Sequence, residues 1–122
     1  NRERRRTDRV MKKGIPKYKL VERQGLHYEV NSTTPFTGTT VDYHENGQLW
    51  ITSNYKDGKE DGLYEEFHKN GQLRTRGNYK NGERDGFFED YYENGQLWSR
   101  GYYKDGKEQP GWLMFDRDGN PL

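Results

Sequence analysis

Any catalytic or metal site in this chain must be built from three histidines, twenty carboxylates and hydroxyl groups, because cysteine is absent. Thiolate catalysis, disulfide staples and thiolate zinc sites are thereby excluded. Acid–base or nucleophilic work needs its groups gathered in one place. His44 and His68 stand 24 residues apart, and Tyr92 and Asp116 fill the next two steps of that spacing. A catalytic group is singular, so a slot recurring as His, His, Tyr and Asp reads as scaffolding. His27 sits beside Tyr28 with no partner in the sequence. Asp116-Arg117-Asp118-Gly119-Asn120 resembles the start of a calcium loop, but two carboxylates without a distant Glu make a poor cage for a hard cation. The glycines are spaced as turns, not as the strand–loop–helix that cradles phosphate. No catalytic residue, cofactor or metal ligand set is expected, and the expected class is non-enzymatic.

The elements that must carry these side chains repeat. Asn46-Gly47-Gln48-Leu49 recurs as Asn70-Gly71-Gln72-Leu73 and Asn94-Gly95-Gln96-Leu97, a period of 24 residues. Tyr55, Tyr79 and Tyr103 keep the register, as do Gly38, Gly62 and Gly86, with Pro110 breaking the last column. Only 28% of the 122 residues are hydrophobic, which excludes a thick globular core, while 15% are aromatic. Alanine is missing and glycine abundant, which turns the balance from helices to short strands with tight turns. No run of about 18 apolar residues suits a membrane-spanning helix.

Within one unit, Leu73, Thr75, Gly77 and Tyr79 alternate with Arg74, Arg76, Asn78 and Lys80, the period of a strand with one wet face. Leu63–His68 forms its partner strand. Asn70-Gly71 between them is the hairpin signal, since a type I′ turn needs positive φ at both central residues. That turn sets Glu65 opposite Arg76, Tyr64 opposite Gly77 and Phe67 opposite Arg74. The next copy pairs Glu89 with Arg100, Phe88 with Gly101 and Tyr91 with Trp98, and the previous one pairs Tyr43 with Trp50. A three-residue turn with a bulge would shift these partners by one. Lys80–Gly86 and its equivalents read as longer glycine-bracketed loops joining successive hairpins. The expected fold is all-β, an elongated antiparallel meander of repeated hairpins whose thin core is mostly Tyr, Phe, Trp and Leu.

The net charge of +1 conceals a division. Residues 1–19 carry nine basic and two acidic side chains, a balance of +7, and residues 20–122 balance at −6. This irregular basic arm has few apolar groups to offset the entropy of ordering, so it needs a surface to hold it. That surface is either the chain's own acidic body or an acidic protein partner docked through Arg2, Arg4, Arg5, Arg6, Arg9, Lys12 and Lys13 as an anchor. Nucleic acid or an anionic membrane is the alternative that the arm's charge permits. A start at Asn1 rather than Met suggests a processed chain or a fragment, and the first of these tilts the expected location slightly to extracytoplasmic over cytoplasmic.

On the repeats, Lys56, Arg74, Arg76, Lys80, Arg100 and Lys104 form a basic row, opposed by Glu65, Glu66, Glu89 and Asp90 and so largely self-neutralised. Tyr43, Trp50, Tyr91 and Trp98 on this polar face are the candidate partner-binding residues, because Trp and Tyr are favoured interface anchors. Open sheet edges could also accept a second copy.

The pattern Gly-x-x-x-x-Tyr/Phe-x-x-Asn-Gly-Gln-Leu, then Gly-x-Tyr-Lys-Asp/Asn-Gly, resembles MORN repeats, in the variant common in bacterial proteins called antitoxin components. The resemblance covers Gly38 to Leu122, with a degenerate lead-in from Leu20. The division is then an arm over 1–19 and a repeat region over 20–122. The latter holds a worn copy at 20–37, copies at 38–61, 62–85 and 86–109, and a terminal cap at 110–122. Pro110 and Pro121 depart from the pattern there. The resemblance implies a hairpin array used as an interaction platform, expected here as an accessory or structural subunit of a larger assembly. An antitoxin-like inhibitor that masks a toxin is the alternative that it also implies.

Overall fold

The computed structural model describes residues 14–122. The chain opens with β1 (Gly14–Pro16), a single 3-10 turn at Lys17–Lys19, β2 (Leu20–Arg23) and β3 (Leu26–Glu29). There follow β4 (Gly38–Tyr43), β5 (Leu49–Lys56), β6 (Lys59–Glu60), β7 (Gly62–Phe67) and β8 (Leu73–Lys80). After these come β9 (Glu83–Tyr91), β10 (Leu97–Lys104), β11 (Lys107–Glu108) and β12 (Leu113–Met114). Ten of these strands make one sheet in the order β1-β4-β5-β7-β8-β9-β10-β11, with β6 also on β5 and β12 also on β10. The sheet is an antiparallel meander except at β1, which runs parallel to β4 with Gly14 opposite Thr39. Residues 14–16, grouped with the arm by charge, are thus the first strand of the sheet. β2 and β3 form a separate hairpin.

Two turn types alternate along the ribbon, and they exchange the places that the sequence suggests. At Glu45-Asn46-Gly47 only the glycine has positive φ (86°), so the turn is three residues long with a left-handed third position. His44 N–H bonds Gln48 O and Gly47 N–H bonds His44 O, and the pattern recurs at His68 and Tyr92. The two-residue turns lie instead at Asp57-Gly58, Asn81-Gly82 and Asp105-Gly106, where both residues have positive φ. There Lys56 faces Lys59, Lys80 faces Glu83 and Lys104 faces Lys107, so the expected longer loops are tight hairpins.

The three-residue turn is followed by a bulge, which corrects the pairing near the turn and preserves it farther away. Glu65 faces Arg76, Tyr64 faces Gly77, Glu89 faces Arg100 and Phe88 faces Gly101, as expected, because the bulge offsets the extra turn residue. Beyond the bulge Phe67 meets Leu73 rather than Arg74, Tyr91 meets Leu97 rather than Trp98, and Tyr43 meets Leu49 rather than Trp50. The extra residue of each bulge is the one at position 50, 74 or 98. Arg74 therefore reaches Glu66 (3.1 Å) while Arg76 reaches Glu65 (2.8 Å). Because Glu65 and Glu66 are consecutive strand residues on opposite faces, the basic row is split between the two faces.

The core is one stripe of rings. Phe36 packs on Tyr55, and Tyr64, Tyr79, Phe88, Tyr103 and Trp112 contact one another in sequence edge to face, with centroids 5.2–5.8 Å apart. A ring lies over the strand glycines Gly77 and Gly101, but the ring comes from the following unit. A Cβ on Gly77 would stand 2.4 Å from Phe88, and one on Gly101 would stand 2.0 Å from Trp112.

Stacked units are also stapled through their turns. Asn46, Asn70 and Asn94 each accept a backbone N–H within their own turn. Each also donates from Nδ2 to the next turn's Lys69, Glu93 or Arg117 carbonyl at 2.8–3.0 Å. Loss of both bonds in Asn70→Ala is expected to lower stability by about 1–2 kcal/mol. Asn70→Asp keeps the acceptor and should cost about half as much. Urea unfolding of both variants beside the parent reads the difference.

Candidate functional site

The bulges gather a second set of side chains on the aromatic face, beside the three-residue turns. The bulged positions hold Trp50, Arg74 and Trp98 in a column crossing the sheet. Next to it runs a column of carboxylates, Asp42, Glu66 and Asp90, opposite Ile51, Thr75 and Ser99. Behind it lie His44, His68 and Tyr92, the slot that recurs every 24 residues.

That slot works as scaffolding. His44 Nε2 bonds Phe67 O at 2.7 Å and His68 Nε2 bonds Tyr91 O at 2.8 Å. A carbonyl only accepts, so each imidazole holds its proton on Nε2 and spends it on the next unit. Tyr92 hydroxyl makes the same link to Phe115 O at 2.9 Å. The rings of His44 and Tyr92 then back the indoles, at 5.5 Å from Trp50 and 5.9 Å from Trp98. The tryptophans remain 39% and 42% exposed, enough to leave a face of each ring for a partner.

Between the second and third units the columns enclose a shallow groove of about 500 Å³, lined by Glu66, His68, Arg74, Asp90, Tyr92 and Trp98 among others. Arg74 is spent on Glu66, and Arg117 on Glu93 at 3.0 Å across the rim. Asp90 accepts from the Thr75 hydroxyl (2.7 Å) and the Ser99 hydroxyl (3.2 Å). Its carboxylate thus has hydrogen bonds but no ionic partner among the described residues.

Of the residues expected to bind a partner, Trp50 and Trp98 stand on this face, and Tyr43 is exposed but set opposite Leu49. Tyr91 is half-buried, its phenol pushed upward by burial and by Glu89. Arg2, Arg4, Arg5, Arg6, Arg9, Lys12 and Lys13 lie outside the described residues. Sequence reasoning left Asp42 aside and read Arg74 and Asp90 only as members of a self-neutralised row. The signal was present in the 24-residue columns at 42, 66 and 90 and at 50, 74 and 98, but alternation without the bulge separates these columns. The Asp116–Asn120 segment repeats the three-residue turn, with Asp116 N–H on Asn120 O and Gly119 N–H on Asp116 O. Backbone N–H groups on its carboxylate hold Asp116 below the usual range.

The family model described as MORN repeat variant matches residues 36–57, 60–81 and 84–105, more than half of the chain. No curated protein and no solved structure matches it.

Proposed function

The chain belongs to the MORN repeat variant family, a repeat module of a kind often involved in binding, and from that premise we propose that it is a non-catalytic protein-interaction module. It serves as an accessory or structural subunit of a larger assembly, with the aromatic face beside the three-residue turns as its docking surface. The observation that carries this reading is the column Trp50–Arg74–Trp98, in which two half-exposed indoles are braced from behind by His44 and Tyr92. Indoles pre-set in one orientation lose little entropy on binding, which is what an interface anchor requires. The non-catalytic part rests on His44 and His68, whose Nε2 protons are committed to neighbouring carbonyls, and on His27, whose Nδ1 meets Gly58 O at 3.1 Å.

The basic arm supplies a second contact in this reading. Seven cationic side chains among residues 1–13 suit an acidic patch on the same partner. They also favour a second reading, an anionic surface of nucleic acid or phospholipid, which strong salt dependence without partner preference would reveal. An antitoxin-like inhibitor uses the same docking face and differs in what it masks.

The test is affinity capture from the native source with the parent chain and with Trp50→Ala/Trp98→Ala, quantified by mass spectrometry. A protein held by the parent and depleted at least about tenfold by the double variant is the expected result. Equal recovery by both chains overturns the assignment of this face.

A further inference from the structure

Building on the interaction reading above, we infer that the docking face selects an extended basic segment of its protein partner carrying two cationic side chains about six residues apart. The argument is a comparison of equivalent positions. In the second unit the carboxylate column holds Glu66 and the bulge column Arg74, which close on each other at 3.1 Å. That unit supplies its own cation.

In the first and third units the carboxylate is kept, as Asp42 and Asp90, but tryptophan replaces the arginine. Among the described residues no cationic side chain pairs with either aspartate. Each of these units therefore presents a carboxylate beside a half-exposed indole where the middle unit presents a finished ion pair. Carboxylate and indole face together are what a guanidinium or ammonium group seeks, the one for ion pairing and the other for cation–π contact. The repeat region has a net charge of −6, which draws such a group in.

The two receptors are separated by the strand steps β4-β5-β7-β8-β9, about 19 Å at normal strand spacing. Six residues of extended chain span about 20 Å. A segment crossing the strands over the middle unit would place its first cation at Asp42/Trp50 and its second at Asp90/Trp98. The Glu66–Arg74 pair between them is already neutral and asks for nothing charged.

Titration calorimetry of the full chain with synthetic extended peptides tests this. One peptide carries two arginines six positions apart, a second carries them three apart, and a third has citrulline in their place. The six-spaced peptide is expected to bind about tenfold tighter than the three-spaced one, the citrulline peptide not detectably. Trp98→Arg, which copies the middle unit's ion pair beside Asp90, should erase that tenfold advantage, and Asp90→Asn should reduce it without disturbing the fold. Equal affinity for the two spacings, or an advantage untouched by both variants, overturns the inference. If capture still depends on Trp50 and Trp98, the interaction reading survives that failure. Arg6 and Lys12 of this chain have the required spacing. A salt-sensitive dimer dissolved by Arg6→Ala/Lys12→Ala would put a second copy's arm in the groove and overturn the assignment to a different partner protein.

Discussion

Gly77→Ala is expected to destabilise the protein by about 3 kcal/mol, far more than one methyl group costs at most strand positions. The backbone at Gly77 is ordinary extended chain, so dihedral strain contributes nothing. The cost comes from Phe88, whose ring occupies the space a Cβ would need at 2.4 Å. Phe88 is 2% exposed and held between Tyr79 and Tyr103, so it cannot swing aside without breaking the stripe. Phe88→Ala alone should cost about 3–5 kcal/mol by opening a cavity. In that background the space above Gly77 is empty, and the added Gly77→Ala should then cost under about 0.5 kcal/mol. Denaturant unfolding of the two single variants and the double variant measures the coupling directly. Additive costs would mean that the ring does not lie on the glycine.

Stability should also fall by about 2–3 kcal/mol between pH 10 and pH 12 as Tyr55 ionises. Burial, reinforced by Glu60 and Asp42 and opposed by a bond from Thr40, raises this phenol from 10.0 to about 12. Its folded value lies above its unfolded one, so the protonated form favours the native state. That contribution is complete below pH 10 and is lost as pH climbs through the folded value. Urea midpoints across this window, with tyrosinate absorbance recorded alongside, should fall steeply in the parent and less in Tyr55→Phe. An identical decline in both chains would show that other groups govern alkaline unfolding.

The hairpin array was legible in the sequence because its signal is redundant: three aromatic columns (43/67/91/115, 55/79/103 and 64/88/112) and three glycine columns (38/62/86, 47/71/95/119 and 58/82/106) keep one period, and no single substitution obscures them. The far ends of the hairpins keep the register that a two-residue turn would set, because the bulge offsets the extra residue of the actual turn, as Glu65 with Arg76 and Phe88 with Gly101 show. Turn type was harder. Asn46-Gly47 and Asn81-Gly82 share a dipeptide, yet only the second has positive φ at both residues. What separates them is the Asn46 amide, whose two ends are taken by Gln48 N–H and Lys69 O. The second of these bonds exists only once a neighbouring unit is stacked on the first. The bulge at Trp50, Arg74 and Trp98 has no signature of its own and reverses which face those side chains join. The proposed docking face was therefore named through its tryptophans, and its carboxylates emerged only from the fold.

The asparagine bonds between turns all run one way. Asn46 gives to Lys69 O, Asn70 to Glu93 O and Asn94 to Arg117 O, while Asp118, next in that column, has no amide hydrogen to give. Each unit thus ends in a plug and begins with a socket, and any plug fits any socket. Length becomes a quantity that gene duplication can adjust in whole steps without redesigning a joint, and the distance between two equivalent side chains becomes as tunable as the markings on a ruler.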